Sequence, residues 1–289
     1  MDTGSNWFAP AAKTHAIVNG GSLGSVLHYV IESGGTSTTH GDMTVNRSTL
    51  AAFGSATRGF SAGGSPNTNV IDFHVFETAG NATDFGDRLI SSHGPAGLQS
   101  DTRGVMACGY TSTTNSTMDF ITMDTAGNAA NFGSMYSSHL VGDSCNDTRG
   151  LFFGGSGAGN SGTRNDIHYI TIATTGNSTD FGDHVNSYYR KSMGSSATRA
   201  LIGGYSSDVI GVVTIATPAN ATTFGNFTVA RGSSHDNGVL AIGVGGSGSD
   251  GTTTDQVTIA TDANATSFNA TMNQSISNSR NSKNSHVVK

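Results

Sequence analysis

The sequence is poor in the residues that most often carry chemistry or staple small proteins together. Of 289 residues, two are cysteine, four proline and one tryptophan, and only 12% are charged. Cys108 and Cys145 are too few for a disulfide framework and form no CxxC pair, which excludes a zinc ribbon or a thioredoxin-like redox motif. Cys108 stands where sister segments carry the first glycine of a Gly-Gly pair, so a small buried thiol is expected there. Four lysines and a net charge of −6 leave no basic stripe, and nucleic acid, whose phosphates demand clustered Lys and Arg, is not an expected partner. No segment approaches the roughly 18 apolar residues that a bilayer-crossing helix needs, so no membrane insertion is expected. The start, MDTGSNWFAP, lacks the basic region and apolar run of a signal peptide.

What the chain has in quantity is glycine, 40 residues of it, with much Ser, Thr and Asn. Its hydrophobic content of 35% is low but evenly spread, which points to a small-residue β architecture rather than disorder. Internal copies explain the composition. The triplet Asp180-Phe181-Gly182 matches the magnesium-binding triplet of a protein kinase, yet it sits in a segment that recurs: TAGNATDFGD from Thr78, TAGNAANFGS from Thr125, TTGNSTDFGD from Thr174, TPANATTFGN from Thr217, TDANATSFNA from Thr261, and an eroded GTSTTHGD ending at Asp42. A catalytic aspartate is needed once, whereas an architectural residue recurs with the architecture. The glycine-rich loop, strand lysine and His-Arg-Asp loop of a kinase are also missing.

Aligned on the aromatic, the copies place His40, Phe85, Phe132, Phe181, Phe224 and Phe268 in register, with spacings of 45, 47, 49, 43 and 44 residues. A second landmark precedes each: THAIVNGG from Thr14, TRGFSAGG from Thr57, TRGVMACG from Thr102, TRGLFFGG from Thr148, TRALIGG from Thr198 and DNGVLAIGVGG from Asp236. Six landmarks of each kind imply six units. Each unit reads as an apolar strand ending in Gly-Gly, a variable loop, and a second strand such as Ile167 to Thr174. A Gly-Asn turn then leads to a third strand opened by the aromatic and a weaker fourth, as in Thr44 to Ala56. Four short strands in about 45 residues make one propeller blade.

This order, with an arginine in the weaker segment of some units (Arg47, Arg231, Arg280), resembles the kelch repeat with Phe in place of its usual Trp. More closely, the string TRG-apolar-apolar-x-GG … TGNATDFGD resembles kelch-like repeats in structural proteins of marine tailed bacteriophages. The resemblance spans roughly Thr14 to Ala270. It implies an all-β, six-bladed kelch-like propeller of four-stranded antiparallel blades over residues 14–289, after an N-terminal extension of residues 1–13. It also implies a virion structural protein assembled in the host bacterial cytoplasm, present in several copies per particle. Such a protein serves as a tail fibre, tip or adaptor or as a capsid-surface accessory. Its partners would be other virion proteins and host-surface glycan or protein.

The remaining motifs read as architecture. Asp2-Thr3-Gly4-Ser5 matches the aspartic-protease tetrad, but that chemistry needs two such carboxylates and the chain has one copy. The clusters GGSGAG (Gly154 to Gly159) and GVGGSGSDG (Gly243 to Gly251) lead into no helix and supply no Lys-Ser/Thr pair, unlike a phosphate cradle. Asn81, Asn115, Asn177, Asn220 and Asn264 satisfy the glycosylation pattern, and most belong to the repeated turn. His93 and His139 occupy equivalent positions, held by Ser48 and Tyr189 in other units, which would place them on a shared rim. Histidine and carboxylate spacings match no metal-ligand set, so neither metal nor other cofactor is expected. Arg58, Arg103, Arg149 and Arg199 recur beside the apolar strand. Their planar donor forks suit bridging to the neighbouring repeat, in preference to gripping a partner.

Irregularity within the repeat marks the candidate binding surface. Loops after Gly-Gly differ in length and would all emerge on one propeller face, which nominates Tyr110, Asn160, Arg164, Tyr205, Asp208 and Asp250 as partner- or receptor-binding positions. Two other classes remain: a lectin-like carbohydrate-binding propeller, weakened because the only tryptophan is Trp7, and a propeller hydrolase, for which no convergent carboxylate pair or triad is visible. No catalytic residue is assigned, and the protein is not expected to be an enzyme. In the closed ring the strand from Thr14 to Gly21 completes the sheet begun by Ser267 to Val288. Deleting residues 1–21 is therefore predicted to lower the melting temperature far more than a surface truncation, by exposing a sheet edge. An unchanged calorimetric melt refutes closure.

Overall fold

The computed structural model describes residues 15–19, 25–30, 35–157, 162–187, 194–204, 207–231, 233–244, 254–268, 270–271 and 280–283. Near the start run β1 (His15–Asn19), β2 (Ser25–Val30), β3 (Gly35–Thr36) and β4 (Thr38–Asp42). Five four-stranded antiparallel sheets of contiguous chain follow. Blade A holds β5 (Ala51–Gly54), β6 (Arg58–Ala62), β7 (Val70–Val75) and β8 (Thr83–Asp87). Blade B holds β9 (Ala96–Gln99), β10 (Arg103–Ala107), β11 (Asn115–Thr122) and β12 (Ala130–Ser138). Blade C holds β13 (Gly142–Cys145), β14 (Arg149–Phe153), β15 (Asp166–Thr171) and β16 (Thr179–Asp183). Blade D holds β17 (Gly194–Ser195), β18 (Arg199–Gly204), β19 (Ser207–Thr214) and β20 (Thr222–Asn226). Blade E holds β21 (Ser233–Asp236), β22 (Leu240–Val244), β23 (Thr254–Thr258) and β24 (Thr266–Ser267). The protein is an all-β propeller with four-stranded antiparallel blades.

Two corrections to the repeat unit follow from the pairing. The weaker segment does not end a blade but begins the next one: Ala51–Gly54 pairs with Arg58–Ala62, Phe53 opposite Phe60. The aromatic lies in the middle of its strand rather than opening it, as Phe85 does within Thr83–Asp87. The reason is packing. The inner strand is buried along its whole length in blades A, B and C, so it is built mostly of small residues without alternation, and it buries polar Gln99, Asp143 and Ser144 as well, which is why it reads weakly as a strand. Five blades are built from contiguous chain, one fewer than the six expected. Strands from the two ends of the chain form a further sheet in the order β26–β1–β2–β4, where β26 is Arg280–Lys283, and β25 (Ala270–Thr271) pairs with β3 in parallel.

The blades are joined by a repeated clamp. In each described junction the Gly-Asn turn of one blade docks on the aromatic-Gly strand of the blade before it. Asn81 Oδ1 accepts the Asp42 N–H, and Asn128, Asn177, Asn220 and Asn264 accept from Asp87, Ser134, Asp183 and Asn226, all at 2.9–3.1 Å. Backbone bonds flank the amide: Gly127 N–H donates to the Phe85 carbonyl at 2.9 Å and Ala129 N–H to that of Asp87 at 2.8 Å. Asn128 lies in Asn-Ala-Ala, without the Thr of a glycosylation site, and clamps as its sisters do. The clamp therefore accounts for the asparagine. The approach is so close that a Cβ on Gly86 would sit 2.4 Å from the Gly127 carbonyl oxygen, and the same holds for Gly41, Gly133, Gly182 and Gly225 against their partner turns. The turn glycine itself is dispensable. A Cβ on Gly80 would meet nothing within 4 Å, and Ala219 and Ala263 stand at its place in blades D and E.

Aromatic and aliphatic side chains fill the space between neighbouring sheets. Phe53, Phe60 and Phe85 of blade A pack with Met106, Ile121 and Met123 of blade B. Beside this core lie buried ion pairs in which an arginine ahead of the inner strand meets an aspartate on the third strand: Arg47–Asp72 at 2.7 Å, Arg88–Asp119 at 2.8 Å and Arg231–Asp255 at 2.8 Å. Asp72 is held further by the Thr44 N–H and hydroxyl, and Asp255 by those of Thr228. Blade D substitutes size for charge, since Gly211 leaves room for the His184 ring.

Two substitutions in blade A separate the clamp from the turn. Gly86→Ala is predicted to destabilise by about 2–4 kcal/mol, because the opposing atom is backbone and yields little. Gly80→Ala should stay within about 0.5 kcal/mol of wild type. Urea unfolding distinguishes them, and equal effects contradict the clamp.

Candidate functional site

In blades A, B and C the loop linking the second to the third strand lies beside the linker that enters the blade. Backbone bridges tie them together in register: Ser48 with Ser65, His93 with Tyr110, and His139 with Ser156. The scaffold thereby sets side chains from three blades into one arc. The Tyr110 ring stands 5.3 Å from His93 and 5.2 Å from His139, and the two imidazoles are 6.0 Å apart, edge to face. On the blade A side, Asn67 Oδ1 meets His93 Nδ1 at 2.8 Å while its amide nitrogen donates to the Thr111 carbonyl at 3.1 Å. Tyr110 and His93 are half-buried and His139 is buried.

Farther along the arc, Arg164 stacks 4.7 Å over the Tyr136 ring and pairs with Asp166 at 2.5 Å. Tyr136 donates its hydroxyl to the Gly154 carbonyl at 2.8 Å and meets the His168 ring edge to face at 4.6 Å. Burial raises the Tyr136 phenol well above its ordinary pKa and lowers that of His168. Both groups are therefore neutral at physiological pH. The arc offers imidazole nitrogens, a phenol, a primary amide and one guanidinium for hydrogen bonding to a polar partner. Among the described residues of the arc the carboxylate is that of Asp166, and it is paired with Arg164.

The nominated loop residues fare differently. Tyr110 and Arg164 belong to this arc. Asp208 is exposed at the start of β19 and accepts from the Asn226 amide at 3.4 Å. Asn160, Tyr205 and Asp250 lie outside the described residues. The repeat aromatics His40, Phe85, Phe132, Phe181, Phe224 and Phe268 are all buried on the outermost strand of their sheets or beside it. Sequence reasoning placed His93 and His139 on a shared rim but missed Asn67, Tyr136 and Asp166. No repeat periodicity marks those three, because each lies where the repeat is irregular.

Each of the four recurring arginines reaches the following blade. Arg58 donates through Nη1 to the Met123 carbonyl, Arg103 to those of Ile172 and Ala173, Arg149 to those of Ile215 and Ala216, and Arg199 to that of Ile259, at 2.8–3.1 Å. Each also covers an aromatic ring of its own blade: Phe73, Phe120, Tyr169 and Phe224.

In a second group of histidines His40 and His74 are buried and His28 is half-buried. His40 stands 5.5 Å from both His28 and His74, and His40 Nε2 lies 2.9 Å from the Val75 carbonyl oxygen. Among the described residues no group of His, Cys, Asp and Glu is arranged to hold a metal. Both cysteines are buried free thiols, and burial pushes Cys108 up to about 12. Cys108 also holds a φ of 60°, the left-handed conformation of the glycines it replaces.

No family model matches the chain, and no curated protein matches it. Among solved structures, that of YjhT superposes with a TM-score of 0.71 over 89% of this chain and 95% of YjhT, at 10% sequence identity. At that identity the likeness is one of fold, and it is the propeller fold reached above from the strand pairing.

His74 supplies a pH prediction. Burial lowers its pKa to about 4, opposed by the neighbouring Asp72 carboxylate. The unfolded chain, with an ordinary histidine near 6.5, takes up the proton first as pH falls. Stability is therefore full above about pH 6.5 and declines to a floor below about pH 4, by about 2 kcal/mol between pH 7.5 and 5 from this residue. His74→Asn should flatten that part of the profile in urea unfolding at the two pH values; an unchanged slope contradicts the assignment.

Proposed function

We propose that this protein is a structural component of a bacteriophage virion, a closed six-bladed ring that displays its loop face to a partner. Closure has support at both ends of the chain. β26 pairs antiparallel with β1, Ala16 opposite Lys283, so the sheet β26–β1–β2–β4 has the strand pattern of a blade with its innermost strand drawn from the far end. The inner strands touch in a cycle, β26 to β5, β9, β13, β17, β21 and back to β26. The pairing of Ala270 with Gly35 brings together the two segments that form the clamp at the other junctions, and the deletion of residues 1–21 tests it.

One observation carries the display reading. The residues common to the units are consumed in holding blades together, whereas positions that vary from unit to unit, among them Asn67, His93, Tyr110, His139 and Arg164, gather in one arc. A rigid scaffold with a variable polar face is what a docking protein requires. The virion assignment rests on the resemblance of the repeat string to phage structural proteins, and it covers tail fibre, tip or adaptor and capsid-surface accessory. The partner is another virion protein or a host-surface glycan or protein.

Immunogold labelling of intact particles tests the assignment: gold at the tail or capsid surface is expected, and unlabelled particles overturn it. Tyr110→Ala and Arg164→Ala are expected to weaken attachment to host cells at least about tenfold while leaving the melt unchanged, since the loss of one well-placed contact is worth about 1.4 kcal/mol. Unaltered attachment removes this face from the account. The lectin reading is favoured only by the Tyr110 ring among polar groups, and glycan-array binding of the isolated protein separates it from pure scaffolding.

A further inference from the structure

The ends of the strands opposite the variable loops carry a second feature. Arg199 uses its guanidinium twice across the junction between blades D and E. Nη1 donates to the Ile259 carbonyl, and Nη2 pairs with the carboxylate of Asp262, three residues farther on. Arg103 and Arg149 make the first contact and not the second. Their Nη1 groups bond the Ile172 and Ile215 carbonyls and, in addition, those of Ala173 and Ala216, and each guanidinium lies 4.4 Å over its aromatic ring against 5.4 Å for Arg199, so both are held on the equivalent carbonyl and over an aromatic ring of their own blade. Three residues beyond those isoleucines stand Thr175 and Pro218, both exposed, where the fourth junction has its aspartate. Among the described residues no carboxylate lies within ion-pair distance of Arg103 or Arg149.

We infer that Arg103 and Arg149 are docking points for aspartate side chains of a partner polypeptide, each seated as Asp262 is seated on Arg199. The chain supplies its own evidence for the occupant, because a peptide aspartate already fits the equivalent place. A guanidinium pinned by carbonyls on one side and an aromatic face beneath loses little freedom on binding, so its remaining donors are preorganised for a carboxylate. Arg58 is not included: the residue after its carbonyl partner Met123 is Asp124, whose charge repels a second carboxylate. With a net charge of −6 the protein offers an acidic partner no long-range attraction, so recognition rests on these two local sites.

The test uses the full chain and a blocked hexapeptide copying residues 261–266, Thr-Asp-Ala-Asn-Ala-Thr, with an Asn-for-Asp version as control. Arginine side-chain Nε–Hε resonances are followed by NMR. The aspartate peptide is expected to shift Arg103 and Arg149 with half-saturation on the order of millimolar, and the control peptide to shift neither. Thr175→Asp with Pro218→Asp fills both places from within and should abolish the shifts, while Asp262→Ala should open a third site at Arg199. All three proteins should melt alike, since the substituted positions are exposed turns. Equal shifts with the control peptide, or shifts that survive in the Thr175→Asp, Pro218→Asp protein, overturn the inference. Galacturonate binding at least tenfold more tightly than the aspartate peptide overturns the choice of occupant. None of these results bears on the loop face, which uses the other ends of the strands.

Discussion

The structure depends on the backbone-to-backbone approach between the fourth strand of one blade and the turn of the next. Adjacent sheets of a propeller share a side-chain core, but side chains alone do not fix the angle or height at which one sheet stands on another. Here the angle is set by a glycine that admits a carbonyl to within contact distance and an asparagine that satisfies the amide left over. Because the same pair recurs at five junctions, successive blades inherit the same placement, and in blades A, B and C the loop positions line up from one blade to the next. The His93–Tyr110–His139 arc is a consequence of that alignment, since its members come from linkers and loops that are not neighbours in sequence.

Between the clamps and the loop face lies a polar layer that tolerates change. Blades A, B and E bury an arginine–aspartate pair, blade C a tyrosine and histidine, and blade D a histidine against a glycine. A buried ion pair breaks even only when its hydrogen bonds are complete, which Thr44 and Thr228 help to achieve for Asp72 and Asp255. The layer therefore fills a space of fixed size by several chemistries, and its identity is a poor guide to function. The recurring Arg58 series is different, because its bonds go to carbonyls of the next blade and remain possible whatever side chains stand there.

Much of this was legible in the sequence, and for a physical reason. A clamp that requires glycine for its missing Cβ and asparagine for its oxygen leaves the same letters at every junction, so Phe85-Gly86 and Gly127-Asn128 announce the repeat. The phase of the unit was less legible. The inner strands Ala51–Gly54 and Gly142–Cys145 are short, small and wholly buried, and they lack the alternation by which strands are recognised. Of the site, Tyr110, Arg164 and the two rim histidines could be named from loop irregularity. Asn67 and Tyr136 could not, because their roles come from neighbours in other blades.

The Gly-Asn turns and the recurring arginines lie at one set of strand ends, and the residues that differ between units lie at the other. The clamp is tested most directly by native-state amide exchange at Asp42, Asp87, Ser134, Asp183 and Asn226, whose N–H groups have an asparagine side chain as acceptor. The account predicts exchange at least about a hundredfold slower than in an unstructured chain at all five, with Asn128→Ala releasing Asp87 alone. Unprotected exchange at these amides in the folded protein would contradict it.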